Sequence, residues 1–284
     1  MKNVVIIGTG PAGISAAIYT ARAGIKTTVI GSGVGALEKA EKVENYYGFA
    51  NPVTGKSLVL NGISQAKRLG AEIIRDEATG ISYAEKFVIK TTKSEYKADA
   101  VILATGSARQ SVNVNGLSKF EGRGISYCAV CDAFFYKGKD VAVLGCCEYA
   151  LAEALELLPI AKSVTLLTHG VPAIPKIPPR IKIITTKIKE FAGDKTLEKV
   201  IFEDNTSIKL SGVFIAIGVA GSADLARKMG AEVSGNSIIV DANMATNIPG
   251  LYAAGDCTAG MRQIAKAVWQ GAVAGTEVIK LLRS

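Results

Sequence analysis

The sequence predicts an α/β protein with two Rossmann-like, three-layer domains. Two observations support this fold class. A short apolar strand, a glycine-rich turn and a helix occur in that order near residue 8, and the same order recurs near residue 145. The chain has 284 residues, which is enough to bury two hydrophobic cores. Its 30 glycines suit the tight turns of nucleotide-binding units.

The first unit is predicted at residues 3–30. An apolar strand meets the glycine-rich turn, and an alanine-rich helix follows it. That helix ends near Gly24, because glycine is favoured just after a helix C-terminus. A second strand completes the unit at 27–30. Further short strands are predicted at 72–74, 87–91 and 100–103.

The second unit begins with a predicted strand at 140–144. A helix at 150–158 and a strand at 163–167 follow, so the order of the first unit is repeated. The remaining strands are short, and a long helix of small and apolar residues ends the chain. These strands are predicted at 181–188, 200–203, 207–209, 213–217 and 251–254, and the last helix at 263–282.

The glycines after the first strand have the spacing G-x-G-x-x-G. The first permits the tight turn, the second lets the backbone approach a pyrophosphate, and the third lets the helix pack on the strand. The phosphates then lie at the positive end of the helix. This turn predicts a dinucleotide site, to which we assign Gly8, Gly10, Pro11, Ala12 and Gly13.

Later strand ends supply further candidate contacts to the same cofactor, because strand ends of such sheets face the ligand crevice. An acid normally holds the ribose after the second strand, but this chain has Gly31, so backbone around Ser32 is expected to hold it. Asp256 can hold a cofactor hydroxyl, and the start of the last helix can offer an amide and N–H groups to a ring carbonyl. The residues assigned here are Ala104, Thr105, Gly106, Gly255, Asp256, Arg262, Gln263 and Ile264.

Two cysteines lie three residues apart and an acid follows at once: Cys128, Cys131 and Asp132. In an α/β chain this spacing predicts a redox dithiol that closes a small, reducible ring. The carboxylate can give a proton to a departing thiolate. The alternatives are a buried cysteine pair or part of a zinc site with Cys146 and Cys147, although a second C-x-x-C is missing. No metal ligand is assigned.

Composition excludes several classes of protein. Five cysteines, two of them adjacent, do not form a secreted disulfide framework, and no 18-residue apolar stretch predicts a membrane span. The cytoplasm is therefore the expected location. Residues 160–199 hold eight Lys or Arg against three acids, but no basic helix with interleaved aromatics, so nucleic acid is not an expected partner. This segment is either a solvated surface or a docking face for an acidic partner.

Taken together, these residues resemble the low-molecular-weight thioredoxin reductase family of FAD-dependent disulfide oxidoreductases. The resemblance spans nearly the whole chain, and its elements occur in the family's order. It rests on residues 8–13, 43–45 with 48–49, 104–106, 128–132 with 134–136, 216–218, 255–256 and 262–263.

The resemblance implies an FAD domain formed by residues 1–113 and 243–284, with a smaller inserted domain at 114–242 that contains the dithiol. It also implies a homodimer and thioredoxin as the electron acceptor. By similarity, Asn45, Gln263 and Ile264 lie near the flavin, and Ala36 replaces a glycine of a flavin-contacting segment. Cys131 faces the flavin ring, Cys128 attacks the substrate disulfide, and Asp132 is the proton donor.

The second glycine-rich turn departs from the family's NADPH-binding pattern G-x-G-x-x-A. Gly145 and Ala150 are retained, but Cys147 stands where a glycine admits the pyrophosphate, and Glu148 brings a negative charge to the helix start. The arginines that hold the 2′-phosphate in relatives are also missing after His169. The sequence therefore predicts a flavin enzyme that does not use NADPH.

The leading hypothesis is a flavin-dependent thioredoxin reductase that receives electrons from reduced ferredoxin, as some members of the resembled family do. An NADPH-dependent reductase with an unusual cofactor site is one alternative. A dithiol oxidase that passes electrons through flavin to oxygen is another, since it too needs no nicotinamide site. A flavin-binding sensor without catalysis is a third, although it has no evident need for the C-x-x-C-Asp sequence.

Overall fold

The structure is a computed structural model that describes residues 2–33, 35–106, 112–172, 177–218 and 221–284. For Lys39, Val130 and Cys131 only the backbone is described. The chain divides into two compact units, which are residues 1–108 with 221–284 and residues 109–220. Each unit contains a parallel sheet with flanking helices, so the predicted fold of two Rossmann-like domains is confirmed.

The strands and helices follow the order expected for two such units. The helices are α1 Pro11–Arg22, α2 Gly55–Arg68, α3 Leu117–Phe120, α4 Ala129–Asp132, α5 Glu148–Leu157, α6 Ser222–Lys228 and α7 Ile264–Arg283. The strands are β1 Asn3–Ile7, β2 Lys26–Ile30, β3 Glu72–Ile74, β4 Ala78–Tyr83, β5 Phe87–Thr91, β6 Glu95–Ala98, β7 Ala100–Leu103, β8 Ile125–Ser126, β9 Asp140–Leu144, β10 Ser163–Leu167, β11 Ile181–Ile184, β12 Ile188–Ala192, β13 Lys199–Phe202, β14 Ser207–Lys209, β15 Gly212–Ile215, β16 Val233–Ser234, β17 Ser237–Ile238 and β18 Leu251–Ala253.

The first unit is built on a parallel sheet in the order β18-β7-β1-β2-β3. Its central strand β1 pairs with β2 and β7, and these strands bury almost every side chain, as parallel strands covered on both faces do. An antiparallel sheet of β4, β5 and β6 accompanies it. The carboxyl ends of all five parallel strands lie on one edge, where the predicted cofactor residues follow them.

Helices α1 and α7 pack closely in the first unit because two glycines of α7 face α1. A Cβ atom on Gly271 would lie 2.1 Å from the carbonyl oxygen of Ala12, and one on Gly275 would lie 2.9 Å from that of Ala16. Ser15 Oγ also donates to the Val268 carbonyl over 2.7 Å. This contact fixes the start of α7 near the glycine-rich turn before α1.

The second unit repeats the arrangement, with a parallel sheet in the order β11-β10-β9-β15-β8. Its antiparallel sheet consists of β12, β13 and β14. Phe120, Leu144, Phe191 and Val213 belong to its buried core. The short strand β8 leads directly into α4, which contains the dithiol sequence.

Several predicted strands are confirmed, and one prediction was wrong. Strands 72–74, 87–91, 100–103, 140–144, 163–167 and 207–209 have the predicted bounds. The predicted strand 181–188 is instead two strands, because β11 pairs with β10 in the parallel sheet whereas β12 pairs with β13 in the antiparallel one. The helix predicted from residue 150 begins at Glu148.

Residues 221–242 pack with the first unit, whereas the sequence placed them in the inserted domain. Ser222 at the start of α6 accepts a hydrogen bond from the Thr105 N–H over 3.0 Å and donates its own N–H to Thr105 Oγ1 over 2.8 Å. Ile238 donates its N–H to the Cys257 carbonyl over 2.8 Å. These bonds attach the segment to two strand ends of the first sheet, so the compact unit resumes at residue 221.

Candidate functional site: a dinucleotide turn, a dithiol and an altered second turn

The first glycine-rich turn has the geometry that its spacing predicts. Gly8 has φ of +124°, and a Cβ atom there would lie 2.2 Å from the Ala104 carbonyl oxygen. A Cβ atom on Gly13 would lie 1.9 Å from the Gly8 carbonyl oxygen, so α1 could not pack with any larger residue. At Gly10, by contrast, a Cβ atom would meet no described residue within 4 Å. The space beside Gly10 is therefore open to a ligand.

The start of α1 offers backbone donors to that open space. Gly10 is the N-cap, and Pro11 occupies the first turn with its preset φ. Since glycine has no side chain to accept from the first N–H groups, they are available to phosphate oxygens at the positive end of a 12-residue helix. Ala12 is buried beside this turn, next to Gly255.

The turn after β18 presents a carboxylate to the same edge of the sheet. Gly255 has φ of +88°, which favours glycine, and a Cβ atom there would lie 2.8 Å from Ala12 Cβ. Asp256 Oδ1 is buried and has no hydrogen-bond partner among the described residues. A buried carboxylate oxygen normally has a partner, so it is suited to accept a bond from a cofactor hydroxyl.

The turn after β2 explains the glycine that replaced the expected acid. A Cβ atom on Gly31 would lie 2.7 Å from Thr9 Oγ1, whose hydroxyl donates to the Gly33 carbonyl. Gly31 also donates its N–H to the Ile74 carbonyl over 3.1 Å. An acid would not fit here. That backbone near the exposed Ser32 holds a ribose stays a prediction.

Two predicted flavin contacts from distant parts of the sequence lie side by side. Asn45 Nδ2 donates to Gln263 Oε1 over 2.9 Å, and Gln263 is the N-cap of α7. Ile264 follows as the first residue of that helix, so its N–H belongs to the donors at the helix start. Arg262 is exposed beside them, and Ala36 begins a one-turn 3-10 helix. Their contact with a flavin stays a prediction.

Thr105 and Gly106 follow β7, as predicted, but the polar groups of Thr105 bond within the protein. The Thr105 hydroxyl lies 2.8 Å from Ser222 Oγ, in addition to the two bonds in which the backbone N–H of each residue donates to the hydroxyl of the other. Ser222 is 1% exposed and was not predicted from the sequence. No sequence pattern indicates Ser222, because its partner Thr105 lies 117 positions away in the chain. Ala104 is buried at the same strand end, where its N–H bonds to Ile7.

The open space at Gly10, the donors at the start of α1 and the buried Asp256 oxygen all fit a dinucleotide with hydroxyl groups. Each belongs to the first unit, and each follows a strand end of one sheet. This is where ligands bind in open α/β sheets. The residues present therefore fit the cofactor that the sequence predicts.

In the second unit, the dithiol segment is held by a small hydrogen-bond network. Cys128 is disulfide-bonded and 3% exposed. Its N–H donates to Ser126 Oγ over 3.1 Å, and Ser126 Oγ donates to Asp132 Oδ2 over 2.6 Å. The network thus connects the predicted nucleophile to the predicted proton donor. The Cys131 side chain lies outside the described part of the structure, so its predicted role is untested.

A buried acid that the sequence did not single out contacts the start of the dithiol helix. Glu153 of α5 is 1% exposed, and its Oε2 accepts the Ala129 N–H over 2.8 Å. A carboxylate stabilises an N-terminal helix turn because the unsatisfied N–H groups point towards it. In the sequence, Glu153 stands out only as an acid on an otherwise apolar face of α5. An acid in a helix can equally lie on the protein surface, so its buried role was not predicted.

The aromatic residues after the dithiol differ in exposure. Phe134 is 77% exposed and Phe135 is 68% exposed, whereas Tyr136 packs edge-to-face against Phe214 with ring centroids 5.2 Å apart. Burial raises the pKa of Tyr136, and the Asp132 carboxylate raises it further. Tyr136 therefore stays neutral, and the two phenylalanines offer an apolar surface next to the dithiol helix.

The second glycine-rich turn keeps the fold of the first but not its open space. A Cβ atom on Gly145 would lie 2.1 Å from the Ala216 carbonyl oxygen, a close approach like that of Gly8. Cys147, at the position equivalent to Gly10, is the N-cap of α5, and its thiol donates to the Gly218 carbonyl. Glu148 is exposed in the first turn. A thiol side chain therefore stands at the position where the first turn leaves open space, with an acid beside it.

His169 has a structural role in the second unit. Its Nδ1 accepts the Ile188 N–H over 2.9 Å. Gly170 donates its N–H to the Thr185 carbonyl over 2.6 Å. The turn after β10 is thus hydrogen-bonded to the residues between β11 and β12 and to the start of β12. His169 is followed by Gly170 and Val171, so no arginine stands there to bind a 2′-phosphate.

The remaining cysteines do not form a metal site in the described part of the chain. Cys146, Cys147 and Cys257 are thiols, and no cluster of three or more metal-ligating side chains occurs among the described residues. Burial raises the pKa of Cys257 to about 11, and its thiol donates to the Ala254 carbonyl beside the Asp256 turn. None of the described helices combines the length and apolar character that crossing a membrane requires.

Comparison with known proteins identifies the family. Residues 2–271 match the family described as pyridine nucleotide-disulphide oxidoreductase. This chain belongs to that family. A thioredoxin reductase of Aquifex aeolicus is 35% identical to it over 99% of this chain and 93% of the relative.

Solved structures of this oxidoreductase family match both units. An atypical thioredoxin reductase from Desulfovibrio vulgaris Hildenborough is 40% identical, with a TM-score of 0.94 over 100% of this chain and 98% of its own. A ferredoxin-flavin thioredoxin reductase from Clostridium acetobutylicum is 33% identical, with a TM-score of 0.73 over 99% of this chain and 98% of its own. The predicted resemblance to thioredoxin reductases is confirmed, and these similarities support a flavoprotein oxidoreductase.

Proposed function

We propose that this oxidoreductase is an FAD-dependent thioredoxin reductase whose electrons come from reduced ferredoxin instead of NADPH. The observation that supports it most is the Cys147 thiol, which stands at the position equivalent to Gly10 in the second glycine-rich turn and donates to the Gly218 carbonyl. The family's name includes pyridine nucleotides, and the Aquifex aeolicus relative is named without reference to a donor. The argument against NADPH therefore rests on this chain's own residues.

FAD is the proposed cofactor of the first unit. The N–H groups after Gly10 would bind its pyrophosphate, and Asp256 Oδ1 would accept a bond from a hydroxyl of its chain. Asn45, Gln263 and the Ile264 N–H would contact the ring system. When bound, FAD exchanges electrons singly or in pairs, so it can connect a one-electron donor to a two-electron disulfide.

NADPH is disfavoured as donor for steric and electrostatic reasons. Binding at the second turn would require the Cys147 thiol to leave the Gly218 carbonyl and vacate the space between them. The Glu148 carboxylate would remain near the phosphates at the start of α5. Like charges at a few ångströms disfavour binding by about 1 kcal/mol at solvent-exposed sites. The missing arginines after His169 remove a further set of phosphate contacts.

The dithiol would transfer two electrons by thiol–disulfide exchange. Two electrons and two protons reduce the disulfide of Cys128 and Cys131 to two thiols. Cys128 then gives its thiol proton to Asp132 and attacks a thioredoxin disulfide as the thiolate, and one thioredoxin sulfur leaves as a thiolate that takes this proton back from Asp132. Cys131 loses its proton and attacks the mixed disulfide, and the second thioredoxin sulfur leaves as a thiolate and takes up that proton. This step releases reduced thioredoxin and restores the bond between the two cysteines.

Access to Cys128 requires a movement of the protein. At 3% exposure its sulfur cannot meet a protein disulfide in the described conformation. We propose that a movement exposes Cys128 to thioredoxin, which is a gating role. The exposed rings of Phe134 and Phe135 would then provide the apolar docking surface that a folded protein substrate needs near the dithiol.

Ferredoxin is proposed as the electron donor for two reasons. The Clostridium acetobutylicum structure is a ferredoxin-flavin thioredoxin reductase, and its similarity extends over 99% of this chain. The net charge of +8 attracts an acidic electron carrier.

An odd number of cysteines without a disulfide framework suits a reducing compartment, so we propose the cytoplasm. A homodimer is the proposed assembly, testable by sedimentation.

The experiment is a reconstituted electron chain under anaerobic conditions. Chemically reduced ferredoxin, the FAD-loaded enzyme and oxidised thioredoxin are mixed, and thioredoxin thiols are counted over time. We expect turnover with the native chain and none with Cys128→Ser or Cys131→Ser, both of which should keep FAD. Cys146→Ser, a neighbouring thiol without an assigned role, should keep full turnover. Thiol formation that survives in both dithiol variants would refute the proposed route.

A further inference from the structure

Lys266 has an unusual position for a lysine, within the polar turn that displays Asp256. It lies in the first turn of α7, two residues after Ile264, and is half-buried. Its Nζ donates to the Gly255 carbonyl over 3.0 Å and to the Thr258 carbonyl over 3.3 Å. The ammonium group therefore spans turn 255–258 from one end to the other.

The same turn is held by a buried neutral network. Gly255 donates its N–H to Gln270 Oε1 over 2.8 Å, and Thr258 Oγ1 lies 2.8 Å from the Gly255 carbonyl oxygen and 2.9 Å from Gln270 Oε1. The Thr258 N–H also donates to the Gly255 carbonyl over 3.0 Å. Threonine and glutamine already fix the backbone of this turn. What Lys266 adds to the network is a positive charge.

The positive charge of Lys266 interacts with the carboxylate of Asp256, whose buried Oδ1 has no hydrogen-bond partner among the described residues. Burial lowers the pKa of Lys266, and the Asp256 carboxylate opposes this by favouring the charged ammonium. The Cys257 thiol also favours the charged form, whereas Arg262 disfavours it. A desolvated cation is costly unless it has partners, so its retention here suggests that it stabilises negative charge.

We propose that Lys266 is a positioning residue of the flavin site, which holds turn 255–258 and stabilises the reduced cofactor with its positive charge. This inference rests on the proposed FAD site. Reduced flavin is more negative than oxidised flavin. Two proposed cofactor contacts lie close to Lys266 along the chain or in the turn that it binds: Ile264, two residues earlier on α7, and Asp256 within turn 255–258. A nearby cation therefore favours the reduced state, because charge–charge attraction is strong in a partly desolvated site.

The test compares the flavin midpoint potential of four purified holoproteins. The variants are Lys266→Met, Lys266→Arg and Lys280→Met, where Lys280 lies on the same helix and pairs with Glu277 over 2.7 Å. Potentials are read from absorbance during slow chemical reduction against a reference dye. In Lys266→Met we expect the affinity for reduced FAD to fall about tenfold relative to the affinity for oxidised FAD. This change lowers the flavin midpoint potential by about 30 mV for a two-electron couple. Lys266→Arg and Lys280→Met should stay close to the native value.

Two outcomes would overturn the inference. One is an unchanged potential in Lys266→Met that still holds FAD. If that variant does not fold or loses FAD, Lys266→Gln replaces it, because the glutamine amide can donate to the same carbonyls without a charge. The second outcome that would overturn the inference is a native midpoint potential in Lys266→Gln. Chemical reduction needs no protein donor, so these results are separate from the donor assignment. Failure of the native chain to bind FAD would instead overturn the proposed function.

Discussion

Asn45 and Gln263 form a hydrogen bond of 2.9 Å between side chains that are 218 positions apart in the sequence. The bond joins the loop after Val43 to the N-cap of α7. Val43 itself exchanges two backbone bonds with Val53, which holds the base of that loop. Asn45 was predicted to contact flavin only by resemblance, whereas Gln263 was also predicted from its position at the start of the last helix. The structure supplies the physical link between these two residues.

This link predicts that Asn45→Ala weakens FAD binding. Loss of the bond removes about 0.5–1.5 kcal/mol and frees the Gln263 side chain, so the FAD dissociation constant should rise roughly 2- to 12-fold. The measurement is recovery of flavin fluorescence as FAD dissociates from the diluted protein. Asn61→Ala, an exposed change on α2 of the same unit, is the matched control. Equal effects of the two substitutions would contradict the assigned role of Asn45.

Glu153 is predicted to stabilise the dithiol segment through the Ala129 N–H. Glu153→Ala leaves a buried donor without its acceptor and should lower the free energy of unfolding by about 1–3 kcal/mol. Glu153→Gln keeps an acceptor oxygen and should cost less. Glu156→Ala, an exposed change on the same helix, should have little effect. Urea unfolding monitored by circular dichroism measures all three, and similar losses for Glu153→Ala and Glu156→Ala would disprove the prediction.

Cys257 predicts a loss of stability at alkaline pH. Burial raises the pKa of its thiol from 9.0 to about 11 in the folded chain. Above pH 9 the unfolded thiol releases its proton while the folded thiol keeps it, so the unfolded state gains stability until about pH 11. Between pH 8 and pH 10 this contribution is about 1 kcal/mol.

The check is to compare the native chain with Cys257→Ala, because other groups titrate equally in both. Urea midpoints measured at pH 8, 9 and 10 should fall more steeply in the native chain. Parallel curves would show that Cys257 does not titrate in this window. Native Cys257 should also resist alkylation at pH 8, since its thiolate is scarce and the residue is 1% exposed.

The altered second turn predicts that a nucleotide site can be partly restored. Cys147→Gly combined with Glu148→Asn removes the thiol from the pyrophosphate position and the charge from the start of α5. We expect NADPH to bind this double variant at least about tenfold more tightly than the native chain, a change of about 1.4 kcal/mol. Calorimetric titration measures it, with Cys146→Ser as control. Equal affinities would show that the Cys147 side chain is not the obstacle.

Local backbone constraints made the glycine-rich turns predictable from the sequence. Gly13 is required by its close approach to the Gly8 carbonyl five residues earlier, and Gly8 has a φ of +124° that favours glycine whatever lies beside it, so their spacing records both constraints. The exact bounds of strand 163–167 followed equally well from an apolar run beside polar residues. Such features depend on neighbours in the sequence, so a pattern of residue types contains them.

The features that were missed depend on distant partners. The alternating pattern of 181–188 does not show that the chain changes sheets after Ile184, because both pieces have strand-like composition. Ser222 and Glu153 resemble ordinary helix residues until the fold brings Thr105 and Ala129 against them. Lys266 likewise resembles a surface lysine of a terminal helix. Their roles come from packing between elements, which residue spacing does not record.

Anaerobic reduction of the bound flavin tests the central claim most directly. The native holoprotein is mixed in separate stopped-flow experiments with reduced ferredoxin, NADPH and NADH, and the flavin absorbance is followed. The account predicts rapid bleaching by reduced ferredoxin and none within the turnover time by either nicotinamide cofactor. Rapid bleaching by micromolar NADPH, with an unresponsive flavin under reduced ferredoxin, would contradict it.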